Sequence, residues 1–146
     1  MKKITLFVFA VLVCLCLFSG AQRAAFAYVA VEKHPIDIEM QRMLDEDSST
    51  AGILNAYEFA MKEWDKLLNE NYRTLRQRLG KEEQEKLRAA QLAWIKYRDL
   101  EFAFNKGFWK EFKGTMYIPF SPGYQVNFVR ERALRLGYYL EDLDMR

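Results

Sequence analysis

The stretch that decides the fold reads WDKLLNENYRTLRQRLG over residues 64–80 and KEEQEKLRAAQLAWIKYRD over residues 81–99. Around its first half, apolar and aromatic side chains recur every three or four residues, at Tyr57, Ala60, Trp64, Leu67, Leu68, Leu75 and Leu79. This spacing is typical of one face of an amphipathic helix and continues too long for a β-strand. Gly80 predicts the end of that helix, because glycine adopts a left-handed C-cap without steric cost.

Beyond Gly80 the same spacing continues on a second helix, at Leu87, Ala90, Trp94, Tyr97 and Glu101. Two long helices joined at one glycine predict an antiparallel hairpin. In that hairpin Asp65 would lie opposite Arg98, and Asn69 opposite Gln91. We interpret these pairs as structural, because partly buried polar groups must be paired. Acid–base catalysis is the alternative, but an arginine partner lowers the pKa of a carboxyl, which does not suit a general acid.

Two motifs in this stretch carry a family resemblance. The first motif, W-D-x-x-L-N-x-x-Y, contains Trp64, Asp65, Leu68, Asn69 and Tyr72. The second motif, A-Q-x-A-W-x-x-Y-R-D, covers residues 90–99 and contains Gln91, Trp94, Tyr97, Arg98 and Asp99. They resemble the LprI-like domain, whose family is named for a bacterial lysozyme inhibitor, and the similarity runs over about residues 34–140. The resemblance implies a binding protein and not an enzyme. It also implies that Met43 and Ala56 are neighbours, because many relatives have a cysteine pair at these positions.

Residues 1–27 have the pattern of a signal peptide. Lys2 and Lys3 precede an apolar run over residues 4–18, and Ala25-Phe26-Ala27 forms an A-x-A cleavage site. The apolar run is shorter than the ~20 residues that a membrane-spanning helix needs. We therefore expect cleavage near Ala27 and export to the periplasm or the extracellular space, with membrane contact only before cleavage.

Cleavage would change the charge and residue composition of the chain. The precursor has a formal net charge of +2, but without residues 1–27 the count of Lys and Arg falls from 22 to 19 against 20 acids. A charge near −1 offers no electrostatic footprint for nucleic acid. One histidine and no cysteine would remain, so we predict no metal site and no cofactor. No glycine-rich phosphate loop and no Ser-His-Asp set occurs either, so we predict no catalytic residue.

The complete prediction is an all-α domain over residues 34–146 that follows a tether at residues 28–33. His34 is expected at the surface, with Pro35 opening a short first helix. Ser48, Ser49 or Thr50 caps the first long helix, and the second long helix ends near residues 106–107. A last helix begins with Ser121 as N-cap and Pro122 at its first position. It packs across the hairpin through Val126, Val129, Ala133, Leu136 and Leu140.

The stretch GFWKEFKGTMYIPFSPGY over residues 107–124 has no helical or alternating period. Two interpretations are open: its aromatic rings fold back to cap the hairpin, or they form a binding loop. Aromatic side chains beside cations suit the second interpretation, since both are frequent at interface hot spots. The candidate partner-binding residues are Trp109, Lys110, Lys113, Tyr117 and Tyr124.

The function expected from this sequence is that of an exported helical binding protein. The resemblance suggests a lysozyme, or another envelope protein, as the partner. The alternative is a cell-envelope interaction or scaffold module with a different partner. A third hypothesis is a peptidoglycan-acting enzyme that uses carboxylates such as Asp99 and Glu101.

Overall fold

Four α-helices and one 3₁₀ turn make up residues 34–145, which are the residues that the computed structural model describes. The elements are α1 (Pro35–Glu46), α2 (Thr50–Arg78), α3 (Lys81–Lys110), a 3₁₀ turn (Thr115–Tyr117) and α4 (Phe120–Asp144). These residues contain no β-strand, so the predicted all-α fold is confirmed. None of these helices is both long and apolar enough to cross a membrane. The predicted signal peptide and tether lie outside the described residues.

The last helix holds the domain together. As predicted, α4 packs across the two long helices, and its main contact is with α2; α1 packs on α2, whereas α2 and α3 make few contacts with each other. The buried core combines Ala60, Trp64, Leu68 and Leu75 of α2 with Val126, Val129, Ala133 and Leu136 of α4. Both sets follow the predicted helical spacing. The main apolar seam therefore lies between α2 and α4, and not between the two long helices.

The break between α2 and α3 lies where the sequence predicts it, but its geometry differs. Gly80 has φ −67° and ψ 163°, and it is the N-cap of α3 and not a left-handed C-cap. The prediction of a left-handed Gly80 is therefore wrong. Gln84 stabilises the extended break instead, because its side-chain Nε2 donates a hydrogen bond of 2.8 Å to the carbonyl of Leu79. Among the described residues, positive φ occurs at Gly114, with φ 113°.

The helix boundaries shorten the predicted non-periodic segment. Helix α3 continues through Gly107 to Lys110, and α4 begins at Phe120, so only residues 111–119 separate the two helices. The predicted boundaries at 106–107 and 121–122 are therefore wrong. A single glycine costs a helix only ~1 kcal/mol, so flanking residues can carry the helix through it. Pro122 fits the first turn of α4, where backbone N–H groups have no intrahelical partner.

The N-terminal corner is held by two capping interactions. Pro35 occupies the first helical position as predicted, and Nδ1 of His34 accepts a hydrogen bond from the backbone N–H of Ile36 at 3.2 Å. Ser49 caps α2 as predicted, accepting from the N–H of Gly52 at 3.1 Å. His34 is half-buried, and its ring centroid lies 4.4 Å from that of Trp64. The expectation of a surface histidine is wrong, because the ring covers a core tryptophan.

The double variant Met43→Cys with Ala56→Cys is expected to form an intramolecular disulfide under mild oxidation. Helix α1 packs on α2, Met43 is half-buried and Ala56 is fully buried. Bridging requires Cα atoms within ~7 Å. Non-reducing electrophoresis and mass spectrometry would detect the bridge. Cross-links that join only separate molecules would show that the two positions are not neighbours.

Candidate functional site

The polar residues of the first motif form local interactions and not a ladder between the long helices. Nδ2 of Asn69 donates to the carboxylate of Asp65 at 3.0 Å, one turn away on the same helix. Arg98 pairs with its neighbour Asp99, with 2.7 Å between Nη2 and Oδ1. The predicted Asp65–Arg98 and Asn69–Gln91 pairs are therefore wrong. The reason is that α3 packs against α4 and has few contacts with α2.

The second motif attaches α3 to α4. Nε of Arg132 donates to Oε1 of the buried Gln91 at 3.0 Å. The guanidinium of Arg132 also lies 5.8 Å from the ring centroid of Trp94, and burial lowers its pKa from the ordinary value. Phe128 packs against Trp94 and Tyr97, with centroid distances of 5.9 and 5.4 Å. Sequence reasoning missed Phe128 and Arg132, which flank the apolar stripe of α4.

Trp64 lies in the centre of the core, between three helices. Its side chain is completely buried, and the guanidinium of Arg130 lies 5.4 Å from its ring centroid. Arg130 in turn donates to both oxygens of Asp37, at 2.8 to 3.0 Å. These hydrogen bonds raise the pKa of Arg130 above its ordinary value. Asp37 and Arg130 therefore form an ion pair between α1 and α4, which sequence spacing could not reveal because 93 positions separate them.

A double-mutant cycle at Asp37 and Arg130 is expected to show coupling of ~1–3 kcal/mol in the free energy of unfolding. The side chains are only 15% and 30% exposed, so water weakens this pair less than a surface pair. Urea unfolding of Asp37→Asn, Arg130→Gln and the double variant would give the coupling. The control is the exposed pair Glu82–Lys86. Equal coupling at the two pairs would contradict a special structural role for Asp37–Arg130.

Aromatic rings gather where α3 ends and α4 begins. The ring of Trp109 lies 4.6 Å from that of Phe120 and 5.1 Å from that of Phe112, and Tyr117 lies 5.2 Å from Phe112. We call these four residues the aromatic cluster. Its members pack mainly on one another and do not belong to the buried core, and Phe112 and Phe120 are exposed. The cluster holds residues 111–119 in place and still presents ring surface to the solvent.

A groove of about 410 Å³ borders the aromatic cluster. Its lining includes Trp109, Lys110 and Tyr117, three of the five candidate partner-binding residues, together with Lys106 and Gln125. We call it the lysine groove. Sequence reasoning missed Lys106, although its position one turn before Lys110 places both on one side of α3.

The other two candidate residues lie apart from the groove lining. Lys113 is exposed in the segment after α3. The hydroxyl of Tyr124 donates to Oε1 of Glu101 at 2.8 Å, and this hydrogen bond raises the pKa of Tyr124. Tyr124 lines a different groove, with Tyr57 and Met116. The structure thus brings three of the five predicted residues together.

The acidic and histidine residues do not form a metal centre in the part of the chain that the structure describes. No group of three or more His, Cys, Asp or Glu side chains over residues 34–145 could hold a metal ion. The two carboxylates considered for catalysis are both engaged, Asp99 by Arg98 and Glu101 by Tyr124. The lining of the lysine groove provides cations and aromatic rings for contact with a partner.

Comparisons with known proteins identify a family and a solved structure that are similar to this chain. The model of a protein family described as lysozyme inhibitor LprI matches residues 43–136. A crystal structure of an uncharacterised protein from Burkholderia thailandensis is similar, with 28% sequence identity and a TM-score of 0.66. The similarity covers 71% of this chain and 52% of the Burkholderia protein, so the chain spans about half the length of that protein. No curated protein matches the chain. Because the family model matches more than half of its residues, the chain belongs to the lysozyme inhibitor LprI family.

Proposed function

We propose that this protein is exported, binds a lysozyme through the lysine groove and inhibits it without catalysing a reaction. Membership of an inhibitor family supports the choice of partner. The pattern of residues 1–27 supports export. The observation that carries the choice of surface is the groove itself, where two lysines lie together with the rings of Trp109, Phe112 and Tyr117 outside the core.

The chemistry of a lysozyme cleft suits these cations. Glycoside hydrolases of this kind cleave their substrate between two carboxyl groups. Lys106 and Lys110 lie one turn apart on α3, at the border of the groove. Their ammonium groups could occupy the acidic cleft and exclude the polysaccharide, while the ring of Trp109 adds apolar contact. A groove formed on a helix and a packed cluster is preorganised, so little conformational entropy is lost on binding.

Binding, and not catalysis, is the role that the described carboxylates favour. Asp99 accepts hydrogen bonds from Arg98, and Glu101 accepts one from Tyr124. A general acid or base must lie within hydrogen-bond reach of the proton that it transfers, and neither carboxylate lines the lysine groove. Both candidates already have partners within the domain.

The deciding experiment incubates the mature protein, residues 28–146, with lysozymes of several classes and, separately, with bare peptidoglycan. Inhibition of at least one lysozyme with intact peptidoglycan is the expected result. Cleavage of peptidoglycan by the protein alone would instead establish an enzyme. A lack of inhibition of every lysozyme tested would contradict the proposal and favour a scaffold module with another envelope partner.

A further inference from the structure

The outward face of α3 carries a continuous row of exposed apolar side chains. Tyr97, Leu100 and Phe104 are 55%, 63% and 67% exposed, and Phe108 follows one turn later with its ring 6.1 Å from that of Phe104. We call these four residues the α3 stripe. Among residues 34–145, Phe128 contacts the stripe at Tyr97 and Phe112 contacts it at Phe108, and each of the four side chains still stays at least 47% exposed. Isolated exposed apolar residues are ordinary, but a row along three turns marks an interaction surface.

Gly107 lies on the same face, inside a helix that it weakens. A glycine in a helix interior is less favourable than alanine. A Cβ added at Gly107 would meet no atom within 4 Å, so nothing in the described part of the chain requires a glycine there. A glycine does allow another chain to approach the helix closely. Ala103, one turn earlier and also exposed, leaves similar room.

We propose that two copies of this protein dimerise by packing their α3 stripes antiparallel about a two-fold axis. In one register of this arrangement, Leu100 faces Gly107 of the second copy and Phe104 faces Ala103. Large side chains thus meet small ones at the centre of the contact. The same register places Lys96 opposite Glu111, so that opposite charges meet at both ends of the contact. A two-fold axis produces each of these pairs twice.

The exposed area also fits a second copy. A standard interface buries roughly 800 Å² per partner, of which roughly 60% is apolar, so it needs about 500 Å² of apolar surface. An aromatic side chain presents roughly 150–250 Å² when fully exposed. At exposures of 47% to 67%, the four residues of the α3 stripe supply roughly 400 Å², which is most of the required area. By helical spacing, Lys106 and Trp109 of the lysine groove lie on the side of α3 opposite Leu100 and Phe104.

Cysteine cross-linking tests the register in the mature protein, residues 28–146, which has no cysteine of its own. The double variant Leu100→Cys with Gly107→Cys is expected to oxidise to a covalent dimer. An equimolar mixture of the two single variants should likewise give mainly the mixed dimer. Each single variant alone should not cross-link. In this register, the cysteine of one copy lies seven helical residues, or ~10 Å, along the axis from the same cysteine of the second copy, which is beyond the ~7 Å that a disulfide spans. The same offset prevents a bridge within one helix.

Sedimentation velocity tests the association itself. The mature protein is expected to dimerise with a dissociation constant in the micromolar range or below. Phe104→Glu should raise that constant about 100-fold, because both copies place a charge at the apolar contact. The control is Ile38→Glu, since Ile38 is 55% exposed on α1, away from the stripe, and should leave the dimer intact. Lys96→Glu should weaken the dimer, and adding Glu111→Lys should restore it.

Three results would overturn the dimer. These are a wild type that stays monomeric at high concentration, a Phe104→Glu variant that still dimerises, and cross-linking of the single variants as efficient as that of the double variant. Circular dichroism would confirm that each variant is folded. Inhibition assays separate this inference from the proposed function, because the monomeric Phe104→Glu variant should still inhibit lysozyme. Loss of the dimer with retained inhibition is the expected combination.

Discussion

Replacing Trp64 by alanine is expected to lower the free energy of unfolding by ~3–5 kcal/mol, the largest stability effect expected of any single substitution considered. Trp64 is the largest of the completely buried side chains, and it contacts His34 of the N-terminal corner and Arg130 of α4. Removing the indole leaves a cavity where three helices meet. Since domains of this kind are stable by only ~5–15 kcal/mol, a large part of the folding free energy would be lost. Urea unfolding followed by circular dichroism measures the change.

Two further tryptophan variants make this prediction specific. Trp109→Ala removes the same side chain from the half-buried aromatic cluster, so its effect on stability should be clearly smaller. Trp64→Phe should cost less than Trp64→Ala, because the phenyl ring fills part of the site that alanine leaves empty. Neither variant breaks a side-chain hydrogen bond, since the indole Nε1–H is buried without a partner among the described residues. Equal midpoints for Trp64→Ala and the wild type would contradict the central position of Trp64.

Reversing the charge of both groove lysines, Lys106 and Lys110, is expected to weaken inhibition of the target lysozyme about 100-fold. This is the largest effect expected on binding. Lys106 and Lys110 are exposed, so they contribute little to folding, and helicity and melting temperature should not change. Opposite charges that meet in a closed interface are coupled by ~1.5–7 kcal/mol, and each tenfold loss of affinity corresponds to ~1.4 kcal/mol. Inhibition constants of Lys106→Glu with Lys110→Glu measure the effect. The loss should be larger at low salt, where screening is weak.

The chain offers a matched control for this pair. Lys62 and Lys66 have the same spacing of one turn, are exposed on α2 and lie outside the groove. Lys62→Glu with Lys66→Glu changes the net charge equally and should leave inhibition unchanged. Lys113→Glu tests a third lysine, which follows the end of α3 and lies outside the groove lining. Equal losses for the groove pair and the control pair would show a general charge effect and would contradict the lysine groove as the binding surface.

The sequence by itself determined that the domain is helical and which faces of α2 and α4 are buried. Ala60, Trp64 and Leu68 recur with helical spacing, and the structure buries all three. Local rules also predicted Pro35 at the start of α1 and Ser49 as the cap of α2. These features depend on interactions within a few residues, such as hydrogen bonds to free N–H groups and the periodicity of apolar side chains. Such interactions can be predicted from residues that are close in the sequence.

Only the tertiary structure decided which buried face meets which. An apolar stripe shows that a helix needs a partner, but it does not identify that partner, because the hydrophobic effect is not directional. For this reason the sequence predicted contact between Asp65 and Arg98, whereas α2 packs against α4 and Arg130 pairs with the distant Asp37. The lysine groove is likewise decided by how the helices pack. Lys106 and Gln125 belong to different helices and come together only because α4 folds back along α3.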